Sequence, residues 1–370
     1  MLKKLTSLTL LSSAILVSGC FAQSPESSSR PEVLPFPEGK PRMVSGKKMR
    51  AIYEEVKTPY KYGVVLQPEE GEMVDCPNVF RHDGRWYMMF VSNVDSVGYQ
   101  THLAVSDDLL QWERLGVIMP FAEEGWDAWQ ADGGIALYDT RWDDADHELG
   151  TYEGKYWMSY IGGAEQGYET DPLSIGLAST ENPTAIQAWD RLESNPVLSP
   201  MQSDVRDFEH VTLYKSAIVR DEDEQLGAPF VMFYNGKAPP YGQETIGIAV
   251  SHDMKNWQRY GPGPVVNNVG PSPWAISGDP QMVKIGDIWV MFYFGAFYQK
   301  GAFDTFACSY DLVHWSKWEG EHLVESSEAY DKTFAHKPWV LKHDGVVYHF
   351  YCGVGENGRV IALATSEDLK

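Results

Sequence analysis

Four ionisable residues stand at matching places in this chain, each at or just ahead of an apolar run: Asp75, Asp132, Asp279 and His336. They belong to the segments Asp75-Cys76-Pro77-Asn78-Val79-Phe80, Gln130-Ala131-Asp132-Gly133-Gly134-Ile135, Asp279-Pro280 and His336-Lys337-Pro338-Trp339-Val340, the third aligning with a one-residue gap. An aspartate before a proline often does no more than cap a turn. Three carboxylates brought to one place from three segments can do more. Held close, they push one another's acidities apart, and so separate an acid from a base. A further copy is ambiguous. One register sets Tyr214-Lys215-Ser216 against His336-Lys337-Pro338 and matches the strand residues better. The other sets Glu209-His210-Val211 there and matches the chemistry better. In either register Glu209 lies at or just above the same level.

Aromatic residues accompany these positions: Trp126 and Trp129 before Asp132, Phe208 before Glu209, Trp274 before Asp279 and Phe334 before His336. Such rings could stack on sugar faces or simply pack their loops. Lys215 and Lys337 could hold hydroxyl or anionic groups of a ligand, or pair with the acidic residues.

The elements that must position these residues repeat five times. An aromatic strand core reads Trp86–Phe90, Tyr156–Tyr160, Phe230–Tyr234, Trp289–Tyr293 and Val347–Tyr351. A turn of the form Ser, any residue, Asp, Leu or Met, two residues, Trp follows at Ser106–Trp112, Ser251–Trp257 and Ser309–Trp315. It is looser at Ser179–Trp189 and begins again at Ser366. Asp83-Gly84 and Asp344-Gly345 sit between alternating apolar runs, which signals tight hairpins. The leading serines are 73, 72, 58 and 57 positions apart. Four-stranded blades need roughly 40–50 residues, so the second and third copies carry extra loop, where binding residues usually sit. The expectation is an all-β, five-bladed β-propeller whose first strands line a central channel and start at one mouth. A Trp is due two positions beyond Lys370. Either the natural chain continues and supplies it with a closing strand, or residues 50–66 complete the fifth blade.

The formal net charge of −22 argues against a nucleic-acid backbone as partner, which needs a basic footprint. Lys3 and Lys4 precede a short apolar stretch, Leu5 to Val17, and then Val17-Ser18-Gly19-Cys20. This pattern fits a lipoprotein signal over residues 1–19, with Cys20 lipidated and membrane-anchored. Phe21 rather than Asp follows, which in a Gram-negative host favours the outer membrane. Residues 20–50 would form the lipidated end and a flexible tether, and 51–370 the propeller. Cys76, Cys308 and Cys352 are an odd set without zinc spacing. No Gly-x-Gly-x-x-Gly follows a strand, so a dinucleotide enzyme is not supported.

The fivefold pattern, the Ser/Asp/Trp turns and the acidic strand starts resemble the five-bladed β-propeller glycosidases over about residues 60–370. The pattern is nearest to glycoside hydrolase family 43, with families 117, 32 and 130 as relatives. The resemblance implies hydrolysis of plant or algal oligosaccharides by an inverting mechanism, whose two carboxyl groups stand roughly 6.5–9.5 Å apart. Carried over blade by blade, it makes Asp75 the base, Asp132 the residue that tunes acidity, Glu209 the acid, and His336 a ligand for a central water or ion. Substrate contacts fall to Trp129, Phe208, Lys215, Trp274, Asp279, His336 and Lys337. Asp75 lies two residues before Pro77, whereas the family's base sits immediately before its proline. Family 117 uses a histidine acid, which keeps His210 and His336 open, and the Asn-Asp-Pro-Asn-Gly pattern of family 32 is absent. No cofactor is expected apart from calcium in the channel, for which His336 is the one hint. An inverting phosphorylase of the family 130 kind and a non-catalytic glycan-binding propeller are the alternatives.

Overall fold

The computed structural model describes residues 33–239, 242–268, 272–356 and 358–370, so the signal and Cys20 lie outside the described residues. Helix α1 (Gly46–Val56) and strand β1 (Tyr60–Leu66) come first. With β1, the strands that follow form three sheets, within which they fall into antiparallel groups, the blades. Blade one is β2 (Glu72–His82), β3 (Arg85–Val94), β4 (Tyr99–Ser106) and β5 (Glu113–Met119). Blade two is β6 (Gln130–Ile135), β7 (Tyr156–Gly163), β8 (Ser174–Thr180) and β9 (Asp190–Arg191). Blade three is β10 (Thr212–Arg220), β11 (Phe230–Ala238), β12 (Gln243–Ser251) and β13 (Gln258–Tyr260). Blade four is β14 (Ile276–Ile285), β15 (Ile288–Ala296) and β16 (Ala302–Ser309), edged by β17 (Ser316–Lys317) and β18 (Val324–Glu325). Blade five is β19 (Phe334–His343), β20 (Val346–Gly355) and β21 (Gly358–Thr365). Its fourth strand is β1, which pairs with β21 and sets Val64 opposite Ala362. The strand that completes the fifth blade therefore comes from the N-terminal side.

Local chemistry explains the repeat. In the Ser/Asp/Trp turn, Ser106 Oγ accepts from Leu109 N, and Asp108 Oδ1 accepts from Leu110 N and Gln111 N at 2.9 and 2.8 Å. Trp112 Nε1 then donates to the Leu109 carbonyl at 3.1 Å. Trp257 and Trp315 repeat that closing bond to Met254 and Leu312. The side chains thus satisfy backbone groups that leave the ladder, and this motif is structural rather than catalytic. Both residues of Asp83-Gly84 and of Asp344-Gly345 have positive φ, as a two-residue hairpin turn requires. The aromatic second strands supply the buried core, with Phe90, Phe233, Phe292 and Phe350 fully enclosed.

The segment ahead of β1 is docked rather than free. In α1 the apolar residues Met49, Ile52, Tyr53 and Val56 recur at helical spacing and are buried against Val283, Val290, Phe306 and Val340. Leu34 N donates to the Arg259 carbonyl at 3.0 Å, and the Phe36 ring lies 6.2 Å from that of Tyr260. A flexible tether over 20–50 therefore does not describe residues 33–50, and α1 crosses the expected boundary at residue 50. An excursion of blade two covers the channel end away from the strand starts. Tyr138 Oη accepts from Met282 N at 2.8 Å, Lys284 N donates to the Thr140 carbonyl at 2.6 Å, and His147 Nε2 meets the Lys342 carbonyl at 2.9 Å. Among the described residues no helix is long and apolar enough to cross a membrane.

Candidate active site

Bulges in the first strands set the site. The ladder slips between Asp75 and Asn78, Leu213 and Ser216, Gly278 and Gln281, and His336 and Trp339. In three of these the slipped residue is left-handed and stands before a proline: Cys76 (φ 50°), Asp279 (φ 50°) and Lys337 (φ 64°). Proline cannot donate to the ladder, and the bulge absorbs that loss while re-aiming the neighbouring side chains. Asp279 therefore corresponds to Cys76 and Lys337, one residue on from Asp75 and His336. In blade three the bulge holds Tyr214 and Lys215, one residue off the first expected register. Glu209 lies ahead of the strand, in a short 3-10 turn, Asp207–Glu209.

Two of the expected carboxylates are locked in buried ion pairs. Asp75 is fully buried and meets Lys337 Nζ at 3.0 Å, Arg359 Nη1, and the Tyr99 hydroxyl at 3.3 Å. Burial alone would raise its pKa, but Lys337 and Arg359 outweigh it and hold the carboxyl well below the usual range. Asp132 meets Lys215 Nζ at 2.5 Å. Burial pulls Lys215 and Lys337 towards neutrality, yet their aspartate partners keep both charged. The two lysines thus pair with the acidic residues across blades.

Above these pairs opens a cavity of about 200 Å³. Its wall includes Asp132, Lys215, Asp279, His336 and Lys337 from the expected set, but not Asp75. It also includes Glu169, Glu244, Tyr168, Asn235 and Arg359, which the repeat alignment did not reveal. Glu244, on β12, is half-buried: reachable from the cavity, yet enclosed enough for burial to dominate. Burial first, then the neighbouring Glu169, pushes its carboxyl up to about 8. The Asn235 amide donates to it at 3.4 Å. Glu169 sits in the long β7–β8 loop, 3.7 Å from Lys337 Nζ. Burial raises it too, while Lys337 and then Arg359 pull it back towards the ionised form. Asp279 is raised to about 6, chiefly by burial. His336 is pushed down to about 3 by burial and is neutral, with Nδ1 against the Cys352 carbonyl at 3.0 Å. A ring that donates there has an unprotonated Nε2, which accepts rather than donates.

Glu209 does not line the cavity. Its Oε1 accepts from Arg206 Nε at 3.1 Å and Arg259 Nε at 2.6 Å, and its Oε2 from the Tyr234 hydroxyl at 2.6 Å. Burial would raise its carboxyl, but the two guanidinium groups hold it down. Glu209, expected as the acid, is thus held as a paired carboxylate away from the cavity wall. Phe208 is buried over the Arg206 guanidinium, 4.6 Å from it, and serves packing. His210 is half-exposed beside Asp207 and also lies off the cavity wall. Trp129 leans on Phe121, while Trp274 is 55% exposed beside Gly242; neither lines the cavity.

Calcium does not fit this mouth. A calcium ion takes six to eight oxygen ligands, and its carboxylates must face it. Here Asp75 and Asp132 face ammonium groups, and His336 Nδ1 faces a carbonyl. Cys76, Cys308 and Cys352 are free thiols.

No family model and no curated protein matches the sequence. Solved structures do. A structure of BT0996 in an RGII complex is 45% identical, with a TM-score of 0.84 over 88% of this chain and 96% of that one. A structure described as a glycoside hydrolase is also 45% identical, with a TM-score of 0.83 over the same shares of the two proteins, 88% and 96%. A thermostable family-43 glycoside hydrolase shares the fold at 16% identity, with a TM-score of 0.59 over 82% of this chain and 91% of that one.

Proposed function

This protein belongs to the β-propeller glycoside hydrolases, and on that premise we propose that its active site is the cavity at the propeller mouth, with Glu244 as general acid and Glu169 as the facing carboxylate. One observation carries the assignment: two carboxyl groups share a cavity and burial raises both, but Lys337 and Arg359 draw Glu169 back. Glu244, raised to about 8, keeps its proton at neutral pH and can give it to the glycosidic oxygen. Burial raises Glu169 too, but Lys337 at 3.7 Å and then Arg359 draw it back towards the carboxylate, the form that activates water on the other side of the sugar. We take the course to be inverting, and proton NMR of the first-formed anomer distinguishes it from attack by Glu169 itself. The roles expected for Asp75 and Glu209 pass to this pair, because both of those carboxylates are held by cations. Asp75 and Asp132 then serve as positioning residues that fix Lys337 and Lys215.

The 45% identical relative was solved as an RGII complex, and RGII is a plant pectin. We propose pectic oligosaccharides of that kind as the substrate. Hydrolysis is favoured over phosphorolysis because Lys215, Lys337 and Arg359 already carry carboxylate partners. The reading needs no divalent cation. The sequence pattern ending at Cys20 supports a lipid anchor that holds the enzyme at the cell envelope. The test is release of reducing sugar from RGII oligosaccharides. The wild-type protein should turn them over, and Glu244→Gln and Glu169→Gln should each lose about 10²–10⁴-fold while remaining folded. Undiminished turnover by either variant would remove that residue from the mechanism.

A further inference from the structure

The cavity has two unlike halves. Blades two and three, with Lys337 and Arg359 of blade five, bring the charged and hydrogen-bonding groups. The side formed by blade four and the start of β19 brings the apolar patch Ile276, Phe294, Ala296, Phe297, Ala302 and Phe334, with Asp279 and His336 beside it. Phe294, Ala296 and Ala302 form one buried cluster, against which Ile276 and Phe334 pack. A ring hydroxyl turned to this patch, away from Asp279 and His336, would lose its water without gaining a partner.

Phe297 adds an independent sign. It lies in the β15–β16 turn at φ +64°, a conformation that L-residues with bulky side chains rarely adopt. Its ring nevertheless remains 46% exposed and meets Phe334 edge to face at 6.0 Å. Leu109, Met254 and Leu312 share this conformation but are buried in structural turns, whereas Phe297 keeps its side chain exposed at the cavity rim.

Resting on the active-site reading above, we propose that the apolar side is a subsite for a methyl-bearing substituent, so that a sugar at the scissile linkage is a 6-deoxy, O-methyl or O-acetyl sugar. The methyl group is the shared chemistry, and alkali separates its sources: mild saponification removes O-acetyl groups and leaves C-methyl and O-methyl groups in place.

The experiment digests RGII oligosaccharides, native and saponified, with the full-length protein, and identifies the sugars flanking the cut by mass spectrometry and NMR. A cut beside a deoxy or O-methyl sugar in both samples supports the proposal. So does a cut beside an O-acetyl sugar whose kcat/KM falls 10–200-fold on saponification, the range for a methyl-sized change in an apolar pocket. Phe297→Gly removes the ring and relaxes the backbone. It should lower kcat/KM on the preferred substrate about 10-fold or more without lowering the melting temperature. Flanking sugars without a methyl group, or undiminished kcat/KM in Phe297→Gly, overturn the subsite. Full turnover by Glu244→Gln on the same oligosaccharides would instead overturn the active-site assignment. Loss in Glu244→Gln with methyl-free sugars at the cut leaves that assignment standing and removes the subsite alone.

Discussion

Replacing Glu244 by glutamine should cut turnover about 10²–10⁴-fold and stabilise the fold, and the stabilisation should depend on pH. In the unfolded state this carboxyl ionises near its ordinary 4.5; in the fold it keeps its proton up to about 8. Between those values folding requires proton uptake, and the cost to stability grows by about 1.4 kcal/mol for each pH unit. At pH 7 the full cost would be about 3 kcal/mol. Glu244 is half-buried and reachable from an open cavity, so solvent screening reduces this to about 1–2 kcal/mol. Glutamine carries no such cost and can still accept from the Asn235 amide. The variant should therefore gain about 1–2 kcal/mol at pH 7–8, or about 2 °C in melting temperature for a domain this size. The gain should shrink as pH falls and vanish near pH 4.5. Denaturant unfolding of both proteins at pH 4.5, 6 and 8 measures it. A variant that is less stable at every pH, or whose gain does not change with pH, would refute the reasoning.

Glu209→Gln should behave in the opposite way, losing about 3–5 kcal/mol because Arg206 and Arg259 are left buried without their anion. Its turnover per folded molecule should stay within a few-fold of wild type, read by denaturant midpoint and by activity normalised to folded protein. Asp75 is held below the usual carboxylate range, so its contribution is complete above about pH 4 and is lost as pH falls further. Asp75→Asn should accordingly be destabilised at pH 7, with the gap to wild type narrowing on acid titration followed by circular dichroism. Exhaustive dialysis against EDTA should leave kcat and the melting temperature unchanged, because lysines occupy the positions from which Asp75 and Asp132 would hold a cation.

The blades are legible in the sequence because their determinants are local. Ser106, Asp108 and Trp112 satisfy one turn's backbone within seven residues, and the same types return wherever that turn returns. The mouth is legible only in part. Aligning strand starts finds Asp132, Asp279, His336 and both lysines on one wall. It cannot show that the bulge displaces Asp279 by one residue, since a bulge has no side-chain signature beyond its proline. Nor can it show that Asp75 finds Arg359 from the other end of the sequence. Glu169 escapes alignment because the connection after β7, residues 164–173, is longer than its counterparts, and Glu244 because it lies on the third strand β12, away from the aligned strand starts. The extra spacing of blade two marked the loop that holds Glu169 without naming the residue, while that of blade three did not point to Glu244. Glu209 misleads because a carboxylate at the expected level looks alike in sequence whether it faces a cavity or two arginines.

The pH dependence of kcat/KM tests the central claim most directly, because it reports the acid and base of the free enzyme. With Glu244 as the acid, activity on RGII oligosaccharides should fall along an alkaline limb near pH 8, and that limb should be absent from the residual activity of Glu244→Gln. An alkaline limb that persists unchanged in Glu244→Gln would contradict the assignment and place the catalytic proton on another group.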